Sequence, residues 1–261
     1  MKPQFVKTSN YERLMKGFRQ AENRGAPEAT FIFVHGHPGV GKTRLMEDVC
    51  AQEGWLWLRA DKGWTPSVFV RALGQLLKVD TACRPDKLFA RCIEAMARLG
   101  FPPIAIDEVQ HCEKDGFAVI ERVRDFSDRT KSPVFLVAGS LGVWEKFCRV
   151  EQLVSRVSAA VELVPYEQKD VQATFDALCE VKVSADVAAR VTAESKGLSR
   201  LVANAIKNVE AFAATNGLTT VTAKDLTGIK LCIDWQQELT TRALARRAAG
   251  PALPGVAGRR A

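Results

Sequence analysis

Apolar and polar positions follow two rhythms along this chain. Phe31–His35 (FIFVH) is a short, unbroken apolar run that stops at a glycine. Trp55–Leu58 (WLWL), Pro103–Ile106 and Pro133–Ala138 (PVFLVA) repeat the form, and Val161–Val164 supplies a fifth run. Runs of this length, bounded by Gly, Pro and polar residues, predict buried strands. Between them the spacing turns helical. Thr43–Gln52 places Leu45, Met46 and Val49 on one face, and Pro66–Leu77, Asp86–Leu99 and Phe117–Phe126 behave alike. Continuous apolar strands alternating with amphipathic helices predict an α/β fold, a parallel sheet with helices on both faces. After Pro165 the strand signals stop. Gln168–Cys179, Ala185–Ser195, Arg200–Thr215 and Ala223–Leu239 all predict helices, with Ser184 and Thr222 as N-caps and Gly217 as a stop. Four segments result: an N-terminal helical stretch (1–30) broken by Gly25, Pro27 and Thr30, an α/β domain (31–165), a small all-helical domain (166–240) and a tail (241–261).

Composition narrows the classes without choosing among them. Hydrophobic residues at 47% and charged residues at 26% are ordinary for a globular chain, which excludes a disordered, collagen-like or disulfide-scaffold protein. No run approaches the ~18 apolar residues of a membrane helix. The opening MKPQFVKTSNYERL lacks a signal-peptide core, so a cytoplasmic location with no membrane partner is expected. The net charge of +7 is uneven: Arg242, Arg246, Arg247, Arg259 and Arg260 in the acid-free tail supply five of the seven charges. Such a tail either holds a polyanion or is a solvated end. Seven scattered cysteines, with no C-x-x-C pair, predict reduced thiols. His111–Cys112 has no second ligand pair at zinc-like spacing, so no zinc site is expected.

The chemistry concentrates between the first predicted strand and helix. Gly36-His37-Pro38-Gly39-Val40-Gly41-Lys42-Thr43 is a complete G-x-x-x-x-G-K-[ST] pattern in strand–helix context, a P-loop. Its glycines let the backbone curl so that N–H groups meet phosphate oxygens at a helix N-terminus. Lys42 would reach the β- and γ-phosphates, and the Thr43 hydroxyl would take a position on Mg²⁺. Pro103–Glu108 (PIAIDE) runs an apolar strand into two acids about 65 residues later. Asp107 there would hold Mg²⁺ directly or through water, and Glu108 would polarise an attacking water. Ser140 ends the fourth strand, expected between the P-loop strand and the Asp107 strand, and could contact that water or the γ-phosphate. Arg200, opening a helix, could face the phosphates.

This set resembles the AAA+ ATPases over residues 31 to about 215. The resemblance implies that Gly36–Thr43 is Walker A, Asp107–Glu108 Walker B, Ser140 sensor 1 and Arg200 sensor 2 on a helical lid. Ser155-Arg156-Val157 resembles the arginine-finger segment, with Arg156 reaching a neighbouring subunit's γ-phosphate and Arg149 the competing candidate. Within AAA+, the phrases FVHGHPGVGKTR, RADKGWTPSVFVRAL, AIDEVQH and ERVRDFSDRTKSPVFLVAGS resemble the phage Mu-type transposition B proteins and their Tn7-type regulator relatives. That likeness implies an ATPase with ATP and Mg²⁺ as cofactors. It further implies sequence-nonspecific binding to double-stranded DNA, self-assembly as a helical filament or ring, and delivery of target DNA to a transposase. Lys42 lies too early for the separate helix-turn-helix domain that Mu-type proteins usually carry ahead of it. Arg59, Lys62 and Arg71, flanking the Trp64-Thr65-Pro66 turn, would be the DNA contacts. Two alternatives stay open: a helicase-loader or initiator-like AAA+ ATPase in replication, and a slow nucleotide-switched signalling ATPase.

Overall fold

A computed structural model describes residues 1–140 and 142–234. Strands β1 (Phe31–Gly36), β2 (Leu56–Arg59), β3 (Ile104–Asp107), β4 (Val134–Val137) and β5 (Val157–Leu163) form one parallel sheet in the order β2-β3-β4-β1-β5. The period of two divides each strand between two cores. Phe31, Phe33, Ile104, Ile106, Val134 and Leu136 face one layer. That layer is α3 (Pro66–Leu76), α4 (Pro85–Arg98) and α5 (Lys114–Thr130), which bring Phe69, Leu73, Phe89, Met96, Ile120 and Phe126. Ile32, Val34, Ala105, Phe135 and Val137 face the other, where α1 (Ser9–Glu22) and α2 (Lys42–Glu53) bring Leu14, Ala21, Leu45, Met46 and Val49. Each fully buried phenylalanine here contributes about 1.5–3 kcal/mol. Truncating Phe33, which is 0% exposed between β4 and β5, would cost about 3–5 kcal/mol with its cavity.

Two short helices, α6 (Val143–Phe147) and α7 (Glu151–Val154), carry the chain from β4 to β5. Beyond the sheet, α8 (Gln168–Leu178), α9 (Ala185–Ser195) and α10 (Ser199–Asn216) enclose a separate core that includes Val171, Phe175, Val187, Val191, Val202 and Ile206. Gly217 ends α10 in the left-handed conformation expected of a stop.

Three sequence expectations need correction. β5 begins at Val157 rather than Val161, because this edge strand alternates buried and exposed residues and shows no apolar run. Strands do not stop at Pro165: β6 (Lys182–Val183) and β7 (Thr220–Val221) form a two-residue parallel pair, too short to carry a period. The segment from Ala223 to Asp234 is turn and extended chain, not helix, and 235–239 lie outside the described residues, as does the tail 241–261. The reason is a competing ion pair on α9. Arg190 donates to Leu226 O (2.8 Å) and Ile229 O, while Glu194 accepts from Leu231 N (2.9 Å) and Cys232 N (3.2 Å). Backbone groups that a helix would pair internally are satisfied by that pair instead.

Among the described residues no helix is long and apolar enough to cross a membrane. All seven cysteines are free thiols. Burial pushes Cys50, Cys112 and Cys232 up to about 12, well away from a reactive thiolate.

Candidate functional site

The parallel order brings the C-terminal ends of β1, β4 and β3 side by side, the edge where α/β sheets form their binding crevices. Gly36 closes β1 at φ +146, and a Cβ on it would lie closer than 3.0 Å to the backbone oxygen of Leu163 on β5. From there the loop curls into the start of α2. Val40 (1% exposed) anchors it in the core, while His37 and Pro38 form an exposed rim, with His37 Nδ1 2.8 Å from Pro38 O. Lys42, the first residue of α2, is 5% exposed, and its Nζ donates to Gly36 O (2.8 Å) and His37 O (3.2 Å). Burial lowers its pKa from the ordinary lysine value, against the opposing charges of Asp107 and Glu108. A phosphate arriving at Nζ would relieve that burial cost.

Asp107 ends β3 fully buried. Its Oδ1 accepts the Glu108 N–H at 2.9 Å, and its Oδ2 is buried without a partner among the described residues. Burial raises its pKa above the usual carboxylate range, with the Thr43 hydroxyl and the Glu108 N–H holding it down in part. A buried oxygen with unused lone pairs, beside the Thr43 hydroxyl, is a donor set that fits Mg²⁺. Among the described residues no group of three or more His, Cys, Asp or Glu could hold a metal ion, so phosphate oxygens and waters would complete such a shell.

Glu108 sits at φ 59, ψ 41, a left-handed turn that swings its side chain across the sheet edge. Its Oε1 lies 3.4 Å from Arg59 Nη2. Its Oε2 accepts from Gln110 Nε2, and Gln110 Oε1 accepts the Gly139 N–H at 2.8 Å. The contact at the end of β4 therefore comes from Gly139, while Ser140 beside it is exposed. Arg59 turns toward Glu108, and with Lys62, Asp61 and His111 it flanks an open depression next to that carboxylate. Arg71 is exposed on α3, and Trp64 (7% exposed) packs against Phe69 with ring centroids 6.1 Å apart.

The N-terminus of α10 rests on the phosphate loop. Ser199 Oγ and the Arg200 N–H both donate to Gly39 O, at 3.0 and 3.3 Å. Arg200 Nη2 lies 3.6 Å from where a Cβ on Gly39 would stand, so the guanidinium overhangs the loop. Arg156 lies at the opposite edge. Its carbonyl accepts the Phe31 N–H at 2.8 Å where β1 begins, and its guanidinium pairs with Asp128 at 3.2 Å. The six residues of β1 place it roughly 17–20 Å from the loop of its own subunit. Arg149 is exposed beyond α6.

Several residues entered the site without a sequence signal. A cavity of about 600 Å³ beside the loop is lined by Phe5, Val6, Thr8 and Tyr166 as well as Gly39, Lys42, Thr43 and Arg200. Burial raises the Tyr166 pKa, opposed by a bond with the Thr8 side chain. Gln110 and Gly139 were equally silent. Only the apolar pair Phe5–Val6 in a polar stretch and the amide following the two acids could have marked them.

Residues 26–147 match the family model described as an AAA domain. No curated protein matches the sequence. Among solved structures, the Aeropyrum pernix ORC2 protein in ADPNP–ADP complexes is similar at TM-score 0.61 and 12% identity, over 87% of this chain and 69% of that one. Aeropyrum pernix ORC1 in complex with DNA matches at TM-score 0.53 and 18% identity, over 92% and 65% respectively. The Thermotoga maritima RuvB Holliday junction branch migration motor matches at 0.57 and 16%, over 95% and 79%. At such identities the likeness is one of fold. The strand order, the loop between β1 and α2 and the matched AAA domain give this chain the fold of an AAA+ P-loop NTPase.

Proposed function

We propose that this protein is an AAA+ ATPase that hydrolyses ATP and acts on double-stranded DNA in assembly with its own copies, in the manner of initiator or helicase-loader ATPases. The observation that carries the hydrolytic reading is the buried Oδ2 of Asp107, without a partner among the described residues, beside Lys42 and Glu108. Lys42 would exchange the Gly36 and His37 carbonyls for a phosphate, and the loop N–H groups would meet the other oxygens. Mg²⁺, held by Thr43 and Asp107, supplies neutralisation of phosphate charge when bound. The Glu108 carboxylate orients a water and accepts its proton as the water oxygen bonds to the γ-phosphorus and the bond to the β–γ bridging oxygen breaks. Phe5, Val6 and Tyr166 give the cavity an apolar wall for the base. Helices α8 to α10 act as a lid, with Arg200 reading the phosphates from above Gly39. Ser140 faces solvent at the β4 end, from where its hydroxyl would meet the γ-phosphate or the water. Arg156, too distant from its own loop, serves a neighbour's site.

DNA as partner is supported by the likeness to an ORC protein in complex with DNA and to a branch migration motor, and by the net charge of +7. A second reading, delivery of target DNA to a transposase, is favoured by the order and spacing of FVHGHPGVGKTR, AIDEVQH and the VFLVAGS strand. Glu108 in place argues against a slow signalling switch.

The test is ATP turnover with and without long random-sequence duplex across a salt series, with Glu108→Gln as the trapped form. Stimulation that fades with salt, and a Glu108→Gln protein that binds ATP and DNA without turnover, are expected. Turnover indifferent to DNA would overturn the DNA reading. ATP-dependent filaments on random duplex would favour the transposition branch, and capture of a replicative helicase the initiator branch.

A further inference from the structure

Two groups hold the carboxylate of Glu108: Arg59 at Oε1 (3.4 Å) and, at Oε2, an amide two residues on. After β3 the chain makes a short 3₁₀ turn, Val109–Cys112, whose first and last side chains are driven into the core at 2% and 1% exposure. That anchoring leaves Gln110 facing the end of β4. Its amide is used at both ends: Nε2 donates to Glu108 Oε2, and Oε1 accepts the Gly139 N–H at 2.8 Å. A side chain at Gly139 would have to push this pair aside. A Cβ there would stand closer than 3.0 Å to Glu108 Oε2, Glu108 Cδ and Gln110 Nε2.

We propose that Gln110 is a positioning residue for the hydrolytic step, bridging the Glu108 carboxylate to the backbone just past β4; the proposal rests on Glu108 being the base. A free glutamate side chain samples many rotamers, and a base useful in one orientation must give that freedom up at every turnover. The bridge removes it in advance. Each carboxylate oxygen has two acceptor positions, so Oε2 accepts from Gln110 and still has a lone pair for the proton of water. A carboxamide suits these neighbours, because one end accepts from Gly139 N–H while the other donates to Glu108. The bridge also ties the base to the chain just past β4, the strand that lies between the loop strand and the Asp107 strand.

Gln110→Ala and Gln110→Glu in the full chain test this, with Gly139→Ala as an independent route to the same disturbance. Glutamate at 110 keeps the acceptor for Gly139 and sets a second carboxylate against Glu108. All three variants are expected to lose about tenfold or more in kcat, with the KM for ATP and the affinity for a fluorescent ATP analogue within about twofold of the parent. Exchange of the Gly139 amide proton should speed up in Gln110→Ala without any need for turnover. A parent-like or increased kcat, a loss carried in KM, or unchanged Gly139 exchange would each overturn the positioning role. A parent protein that releases no phosphate overturns the hydrolytic reading instead, and the Gly139 exchange still reports whether the bridge exists.

Discussion

Replacing Asp107 with asparagine should stabilise the nucleotide-free protein while impairing it as an enzyme. The carboxylate is fully buried, one of its oxygens has no partner among the described residues, and burial raises its pKa above the usual range. Because the folded-state pKa is the higher one, ionisation opposes folding: the favourable contribution exists at acid pH and is lost as pH rises through the raised value. Asparagine suffers no such loss. An unsatisfied buried group costs about 1–3 kcal/mol and more when charged; asparagine removes the charge, while the NH2 that replaces Oδ2 stays without a partner among the described residues and the bond from the Glu108 N–H becomes a neutral one, which together give back part of that relief. The net expectation is a gain of about 1 kcal/mol near neutral pH, or roughly 2–4 °C in Tm for a chain of this size. Thermal unfolding in chelator at several pH values measures it, and the advantage should close toward about pH 4. Adding Mg²⁺ and ATP should invert the order. At a hundred times Kd a ligand contributes about 2.7 kcal/mol, and that gain falls mainly to the parent. Asparagine less stable than aspartate at neutral pH without nucleotide, or a gap that ignores pH, would refute the reasoning.

Other substitutions probe the remaining parts. Lys42→Ala should weaken ATP binding by at least about tenfold, the loss of one charge-assisted contact, as read by titration with a fluorescent analogue. Arg156→Ala should bind ATP like the parent yet gain no turnover on assembly, and mixing it with Lys42→Ala should restore activity if the arginine acts in a neighbour's site; no recovery would point to Arg149. The same change strips the partner from Asp128, whose other oxygen is already buried without a partner among the described residues, so a loss of about 1–3 kcal/mol in urea unfolding is expected beside it. Gly36→Ala should cost about 3 kcal/mol or more, adding backbone strain to overlap with Leu163 O, and should lower the Tm by roughly 6 °C or more.

Much of the sheet was legible because burial on both faces writes itself as unbroken apolar runs. FIFVH, WLWL and PVFLVA each fall on or within a residue or two of an observed strand, and the phosphate loop lies between strand and helix where its spacing put it. The start of the edge strand is hidden for the same physical reason inverted, since β5 is buried on one face only and alternates. Ala223–Asp234 has helical composition, but composition is silent about Arg190 and Glu194, some 30 to 40 residues upstream, which claim its backbone groups. The site divides similarly. Lys42, Asp107 and Glu108 carry their chemistry in local sequence, and the structure gathers them at one sheet edge. Gln110, Gly139, Phe5 and Tyr166 acquire meaning only through neighbours distant in the chain, as does the contact of Arg59 with Glu108, 49 residues on.

Gly36 belongs to the phosphate-loop pattern, yet what forbids a side chain there is the backbone of Leu163 on the adjacent strand. The position answers to how closely β1 and β5 approach, whatever the loop holds. A descendant of this chain that had abandoned nucleotide, with its lysine long since replaced, would still carry glycine at 36 for as long as the two strands kept their register. The first glycine of the motif is thus a record of the sheet's architecture, and inheritance of chemistry has to be read from the lysine and the two acids.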